Sequence, residues 1–208
     1  AEGFTGGSFD TYILIQNPNE TAVSVDVTYM VQNGENITEQ YQVEANSRYT
    51  ITAALDVGRN KSFSTKVETD QPIIVERAMY WDAGGKHWAG GHDTTGTTSP
   101  ANTWYLAEGF TGGSFDTYAL IQNPNESSAV VDVTYMIDGS ENITEQYLIE
   151  QNTRYTIDTS DDLDGERAFS TEIDSDQPII VERAMYWDAG GKHWAGGHNS
   201  GGYAVTVD

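Results

Sequence analysis

Val23-Ser24-Val25-Asp26-Val27-Thr28-Tyr29 places an apolar residue at every second position and a polar one between. Period two is the signature of an extended strand with one face in a core and the other in water. The phase is kept much further along, where Val131, Val133 and Tyr135 alternate with Asp132 and Thr134. That echo belongs to a larger repeat. Ala1-Glu2-Gly3-Phe4-Thr5-Gly6-Gly7-Ser8-Phe9-Asp10 returns unchanged from Ala107 to Asp116, 106 positions on. The same offset carries Tyr12 to Tyr118, Trp81 to Trp187 and His92 to His198 without a gap. A period this long does not suit a solenoid of roughly 20–50-residue repeats. It predicts two tandem domains, residues 1–98 and 99–208, the second ending in a strand-like tail.

Within one copy, further β-rich runs flank the opening stretch: Tyr12–Gln16, Ile37–Glu44, Arg48–Ala53, Ser62–Glu68 and Pro72–Asp82. Turn-forming residues separate them, such as Asn17-Pro18-Asn19-Glu20, Asn33-Gly34-Glu35 and Asp70-Gln71-Pro72. Thr103–Leu106 would open the second copy. No long segment carries amphipathic helical spacing. The expected class is all-β, two tandem antiparallel immunoglobulin-like sandwiches, with an up-and-down barrel as the structural alternative. Gln71–His92 repeats identically as Gln177–His198, whereas Thr52–Lys61 and Asp158–Arg167 share almost nothing, so the latter are expected to be an exposed, variable loop. Glu76 and Arg77 are strand neighbours and should face opposite ways. Either Arg77, with Arg183, meets a buried partner, or the strand is an edge and both charges reach water.

The 208 residues carry 32 Asp+Glu against ten Lys+Arg, a formal net charge of −22, and no cysteine. So few cations make a grip on nucleic acid or an anionic membrane surface unfavourable. Disulfide, thiolate-metal and thiol chemistry are excluded outright. No apolar run approaches the roughly 20 residues of a helical membrane span. With 38% hydrophobic and 11% aromatic residues the chain can build cores, unlike a disordered acidic tail. The charge should oppose side-by-side packing except where ions screen it.

Trp104-Tyr105-Leu106-Ala107-Glu108-Gly109-Phe110-Thr111-Gly112 with Leu120–Pro124 resembles a tandem repeat of large prokaryotic secreted and cell-surface proteins. So do Ser47–Ile51, Pro72–Trp81 and Gly90-Gly91-His92. That family is a domain of unknown function, and the resemblance spans both copies nearly end to end. It implies an extracellular or cell-surface β-sandwich used as a structural or adhesive module, and it brings no catalytic residues.

Met79–His92 and its copy Met185–His198 read as a Gly-rich loop holding two Trp and two His each. Trp81, His87, Trp88 and His92, with Trp187, His193, Trp194 and His198, form a candidate ligand site. Aromatic faces would stack on a sugar, or the histidines with Asp82 would hold a metal. Alternatively, the tryptophans plug the end of the sandwich and the glycines serve tight turns. In the variable loop, Asp161, Asp162 and Asp164 with Gly165 partly match a calcium loop, so Ca2+ is a candidate ligand, though no cofactor is required. The competing reading is a solvated acidic turn. Asn19, Asn36, Asn60, Asn125 and Asn142 stand in Asn-x-Ser/Thr acceptors for glycosylation.

No nucleophile–base constellation or phosphate loop occurs, so an enzyme is not expected. The first copy begins without the Trp-Tyr-Leu that precedes the second, and Tyr203, Val205 and Val207 alternate in the tail. Either the chain is a piece of a longer repeat protein, or one subunit's tail completes the next and builds a head-to-tail filament. The expected partners are further repeats or copies of the chain, with a glycan as the alternative.

Overall fold

A computed structural model describes residues 1–204, which form two compact units, Glu2–Gly96 and a second within Thr97–Asp208. In the first, the strands are β1 (Phe9–Asn17), β2 (Val23–Val31), β3 (Ile37–Val43) and β4 (Ser47–Thr52). A short α1 (Ala53–Val57) follows, then β5 (Phe63–Thr69), β6 (Ile74–Ala83) and β7 (Lys86–Thr95). All pairings are antiparallel, in two sheets ordered β4-β1-β6-β7 and β3-β2-β5. The alternation at Val23–Tyr29 does what period two requires: Val23, Val25, Val27 and Tyr29 are buried, while Ser24 and Asp26 are exposed. They meet Ile13, Ile15 and Ile51 of the other sheet in one hydrophobic core.

β1 and β2, neighbours in one sheet in the immunoglobulin order, lie here in different sheets. The Asn17-Pro18-Asn19 turn therefore crosses between layers. Asn17 fixes it: its buried amide donates to the carbonyls of Thr21, Val43 and Glu44, and its Oδ1 accepts from the backbone N–H of Asn19. Asn123 repeats the arrangement with Ser127, Ile149, Glu150 and Asn125.

The second unit has β8 (Ala101–Leu106), β9 (Phe110–Thr111), β10 (Phe115–Asn123), β11 (Ala129–Ile137), β12 (Ile143–Ile149) and β13 (Thr153–Asp158). Then come α2 (Thr159–Asp162), β14 (Arg167–Ala189), β15 (Lys192–Gly201) and β16 (Tyr203–Ala204). The long β14 takes the place of β5 and β6 in one strand, pairing β11 through its first half and β10 and β15 through its second. β8 lines up beside β14, and β16 pairs β8 in turn.

Two expectations need correcting. The variable segment opens on a helical turn in both copies, with Ala53 and Val57, or Thr159 and Leu163, turned into the interior, while residues 58–61 and 164–167 that follow are exposed as expected. The Gly-rich loop is a β-hairpin. β6 and β7 turn at Gly84-Gly85, both with positive φ, and a bulge lies between Trp81 and Ala83. Gly90 is required because a Cβ there would come within 2.5 Å of the Trp81 indole.

Candidate functional site

The hairpin divides the predicted ligand residues into an inner and an outer set. Trp81 is 1% exposed and stacks on Phe9 at 5.5 Å, so it is core and presents no face to a ligand. His92 belongs with it, its ring 5.4 Å from Trp81.

Beside them lies a cluster built from three distant points of the chain. Arg77, 7% exposed, reaches the Glu2 carboxylate at 3.3 Å and His92 Nδ1 at 3.3 Å, while His92 Nε2 faces Glu2 at 3.5 Å. The second unit rebuilds it: Arg183, 6% exposed, contacts the Glu108 carboxylate at 3.2 Å, donates to the Glu108 carbonyl at 3.1 Å and to His198 Nδ1 at 3.0 Å. The Arg77–Glu2 pair is buried, one of the two outcomes left open for Arg77, whereas Arg183 is buried but its Glu108 partner side chain is 60% exposed. Since a guanidinium only donates, the imidazole Nδ1 must accept, which fixes a neutral histidine with its proton on Nε2. The sequence places Glu2 and Glu108, with Asp10 and Asp116, near Gly-Gly turns as acids that fit either a calcium site or solvated side chains, and does not by itself connect them with Arg77 and Arg183. Their signal was present, because glutamate, arginine and histidine all recur at the same offset.

Burial first, and the Arg183 charge second, hold the His198 pKa below its ordinary value, against a smaller pull upward from Glu108. A histidine depressed in the folded state binds protons more readily when unfolded. Its contribution to stability is therefore complete above the unfolded pKa of about 6.5 and is lost as pH falls through the folded value. Urea midpoints should fall below about pH 6.5, and His198→Gln should flatten that region of the profile. An unchanged slope would rule out this coupling.

The outer set is a small aromatic ladder. Trp88 is 45% exposed, lies against Tyr80 at 5.4 Å and stacks on His87 at 4.7 Å. It adopts a left-handed backbone, φ 51°, a conformation uncommon for a bulky residue. Two aspartates hold it there. Asp82 Oδ1 accepts from the Trp88 backbone N–H and from His87 Nδ1, each at 2.9 Å, and Asp10 Oδ2 accepts from the indole Nε1 at 2.9 Å. These donors, the Trp88 N–H first, keep the Asp82 carboxyl below the usual carboxylate range. Trp194 repeats the geometry with Tyr186, His193, Asp188 and Asp116.

The acidic loop is placed differently from a calcium loop. Asp162 accepts the hydroxyls of Tyr135 and Tyr147, as Asp56 does those of Tyr29 and Tyr41. Burial, and then these carboxylates, push all four tyrosines well above their ordinary pKa. Asp161 and Asp164 are exposed. Among the described residues, no group of three or more His, Asp or Glu is arranged to hold a metal ion. Of the glycosylation candidates, Asn36, Asn60 and Asn142 are exposed. The side-chain nitrogens of Asn19 and Asn125 already donate across the interlayer turn, to Pro72 and Pro178 carbonyls at 2.9 Å. Tyr203 pairs with Tyr105, and Val205 and Val207 lie outside the described residues. No described helix is long and apolar enough to cross a membrane.

Fold and site together define a mostly β protein of antiparallel sheets. No family model matches the chain, and no curated protein does. Among solved structures it is similar to Thermotoga maritima 1070, with a TM-score of 0.47 and 15% identity over 52% of this chain and 97% of that one. It is also similar to the Anabaena sensory rhodopsin transducer, with a TM-score of 0.38 and 18% identity over 42% of this chain and 91% of that one. Both are distant likenesses of fold.

Proposed function

We propose that this chain is a non-enzymatic, extracellular structural or adhesive repeat protein of a cell surface or filament, its antiparallel β-sheet modules joined end to end. The observation that carries the reading is where the chemistry-bearing side chains go. In both units, histidine, arginine and acid of the same module engage one another, in the buried Glu2–Arg77–His92 cluster and in the Glu108–Arg183–His198 cluster, whose carboxylate reaches the surface. Asp82 and Asp188 are occupied in holding the hairpin. Duplication of these internal ties favours a module selected for its own rigidity. Sedimentation velocity over a range of protein and salt concentrations tests it. Association that strengthens with added salt, as the −22 charge requires, supports the reading. A salt-independent monomer throughout contradicts it.

The exposed Trp88 and its half-buried counterpart Trp194 favour a second reading, a carbohydrate-binding module. Against it, each indole already lies close to parallel with a histidine and a tyrosine. A glycan array of the wild-type chain and of Trp88→Ala/Trp194→Ala separates the two. The expected result is no specific binding by either. Binding lost in the double variant would establish the carbohydrate reading.

A further inference from the structure

A pair of tyrosines spans the same seam in each module. In the first unit Tyr41 lies on β3 and Tyr49 on β4, the terminal strands of two different sheets. Their rings stand 5.6 Å apart and are tilted by 44°. The second unit repeats the pair with Tyr147 on β12 and Tyr155 on β13, which end the strand order there. Those rings are 5.7 Å apart and tilted by 46°. Tyr49 and Tyr155 are exposed, while Tyr41 and Tyr147 are half-buried. Each half-buried tyrosine also meets a carboxylate. The Tyr41 hydroxyl donates to Asp56 at 2.5 Å, and that of Tyr147 to Asp162 at 2.6 Å. A phenol gives up an electron more readily when its proton can pass to a base already in hydrogen-bond contact. Tyr29, the other tyrosine on Asp56, is fully buried and edge-on to Phe63, out of reach of an external oxidant.

We propose that Tyr41–Tyr49 and Tyr147–Tyr155 are sites of oxidative cross-linking, each pair coupling to a dityrosine that ties two terminal strands of its module together covalently. The oxidant is hydrogen peroxide acting through a haem peroxidase. One electron and the phenolic proton leave each ring, the proton of Tyr41 passing to Asp56 and that of Tyr49 to water. The two phenoxyl radicals join through one ortho carbon of each, forming a C–C bond. The two ortho hydrogens then leave as protons, and each oxygen regains one. In sum, two tyrosines and one hydrogen peroxide give one dityrosine and two waters, the peroxide O–O bond being cleaved and reduced. Exposed side chains reorient within nanoseconds, so the exposed ring can swing onto its neighbour. A chain without cysteine has no disulfide for this purpose. The link belongs to the single module and holds whether or not copies associate.

Treating the dilute whole chain with a haem peroxidase and hydrogen peroxide, then mapping the digest by mass spectrometry, tests the proposal. The expected product is a monomer with dityrosine fluorescence that has lost two hydrogens per module, linked between residues 41 and 49 and between 147 and 155. Tyr49→Phe, a conservative change at an exposed position, should lose the first link and keep the second. Asp56→Asn should slow the first link at least ~10-fold against the second in the same molecule. Added acetate should restore that rate by replacing the lost base, which a disrupted fold would not allow. Equal rates for the two links would overturn the role given to Asp56. The rival pairs Tyr12–Tyr80 and Tyr118–Tyr186 each stand 6.1 Å apart. Dityrosine confined to those pairs, links only between chains, or no dityrosine at all overturns the proposal.

Discussion

Replacing Trp104 with alanine is expected to destabilise the second unit by about 3–5 kcal/mol and to leave the first unit unchanged. The indole is 2% exposed and sits among Ile173, Ile179 and Val181 in the core of the second unit. Truncation forfeits its transfer free energy and opens a cavity. It also removes a donor, leaving the Ile179 carbonyl without the indole bond at 3.0 Å. The first unit has Val67 and Ile73 at the matching places and no indole over them, so nothing there changes. Because the chain has two units, a single global midpoint would mix them. Hydrogen exchange read by mass spectrometry as urea rises separates them. Loss of protection in β11 and β14 at lower urea, with β2 and β5 unmoved, is the expected pattern. A cost below about 1 kcal/mol, the scale of an ordinary surface substitution, would mean that β8 lies outside the core.

The second large effect belongs to the buried ion pair. Arg77→Ala should cost the first unit about 3–5 kcal/mol, because it strands the Glu2 carboxylate in a site where it is 8% exposed. Much of that cost is the uncompensated charge, not the worth of the pair. Arg77→Met combined with Glu2→Gln removes both charges at similar volume and should recover most of the loss. If the double variant is as unstable as Arg77→Ala, the guanidinium matters through its other contact, His92 Nδ1, and the charge argument fails.

How far these features could be read in advance depends on their range along the chain. Period two at Val23–Tyr29 is a local signal and gave β2 and its buried face correctly, and β1, β3, β4 and β5 followed from similar runs. β7 escaped because Lys86–Thr95 does not alternate. Gly90 is dictated by Trp81 and Gly91 by Tyr80 across the hairpin, and those contacts are invisible before the pairing is known. The helical turns are too short to show a 3.6-residue period, and the acidic cluster in one of them partly matches a calcium loop. In the structure its Asp162 answers two tyrosines on neighbouring strands. The division of the tryptophans into a core residue and a surface residue follows from the bulge between Trp81 and Ala83. Composition gives no warning of a bulge. Glu2 and Arg77 are far apart in sequence, and only their joint recurrence as Glu108 and Arg183 could have linked them.

Duplication also clarifies the charge. Much of the −22 is one set of acidic residues written twice, and like charge of that size opposes lateral contact between copies unless ions screen it. Imaging the protein in its native setting by electron cryotomography is the most direct test of the structural-repeat reading. The expected result is a beaded filament or stalk whose spacing matches one module. A dispersed, unassembled monomer in the native image would contradict it.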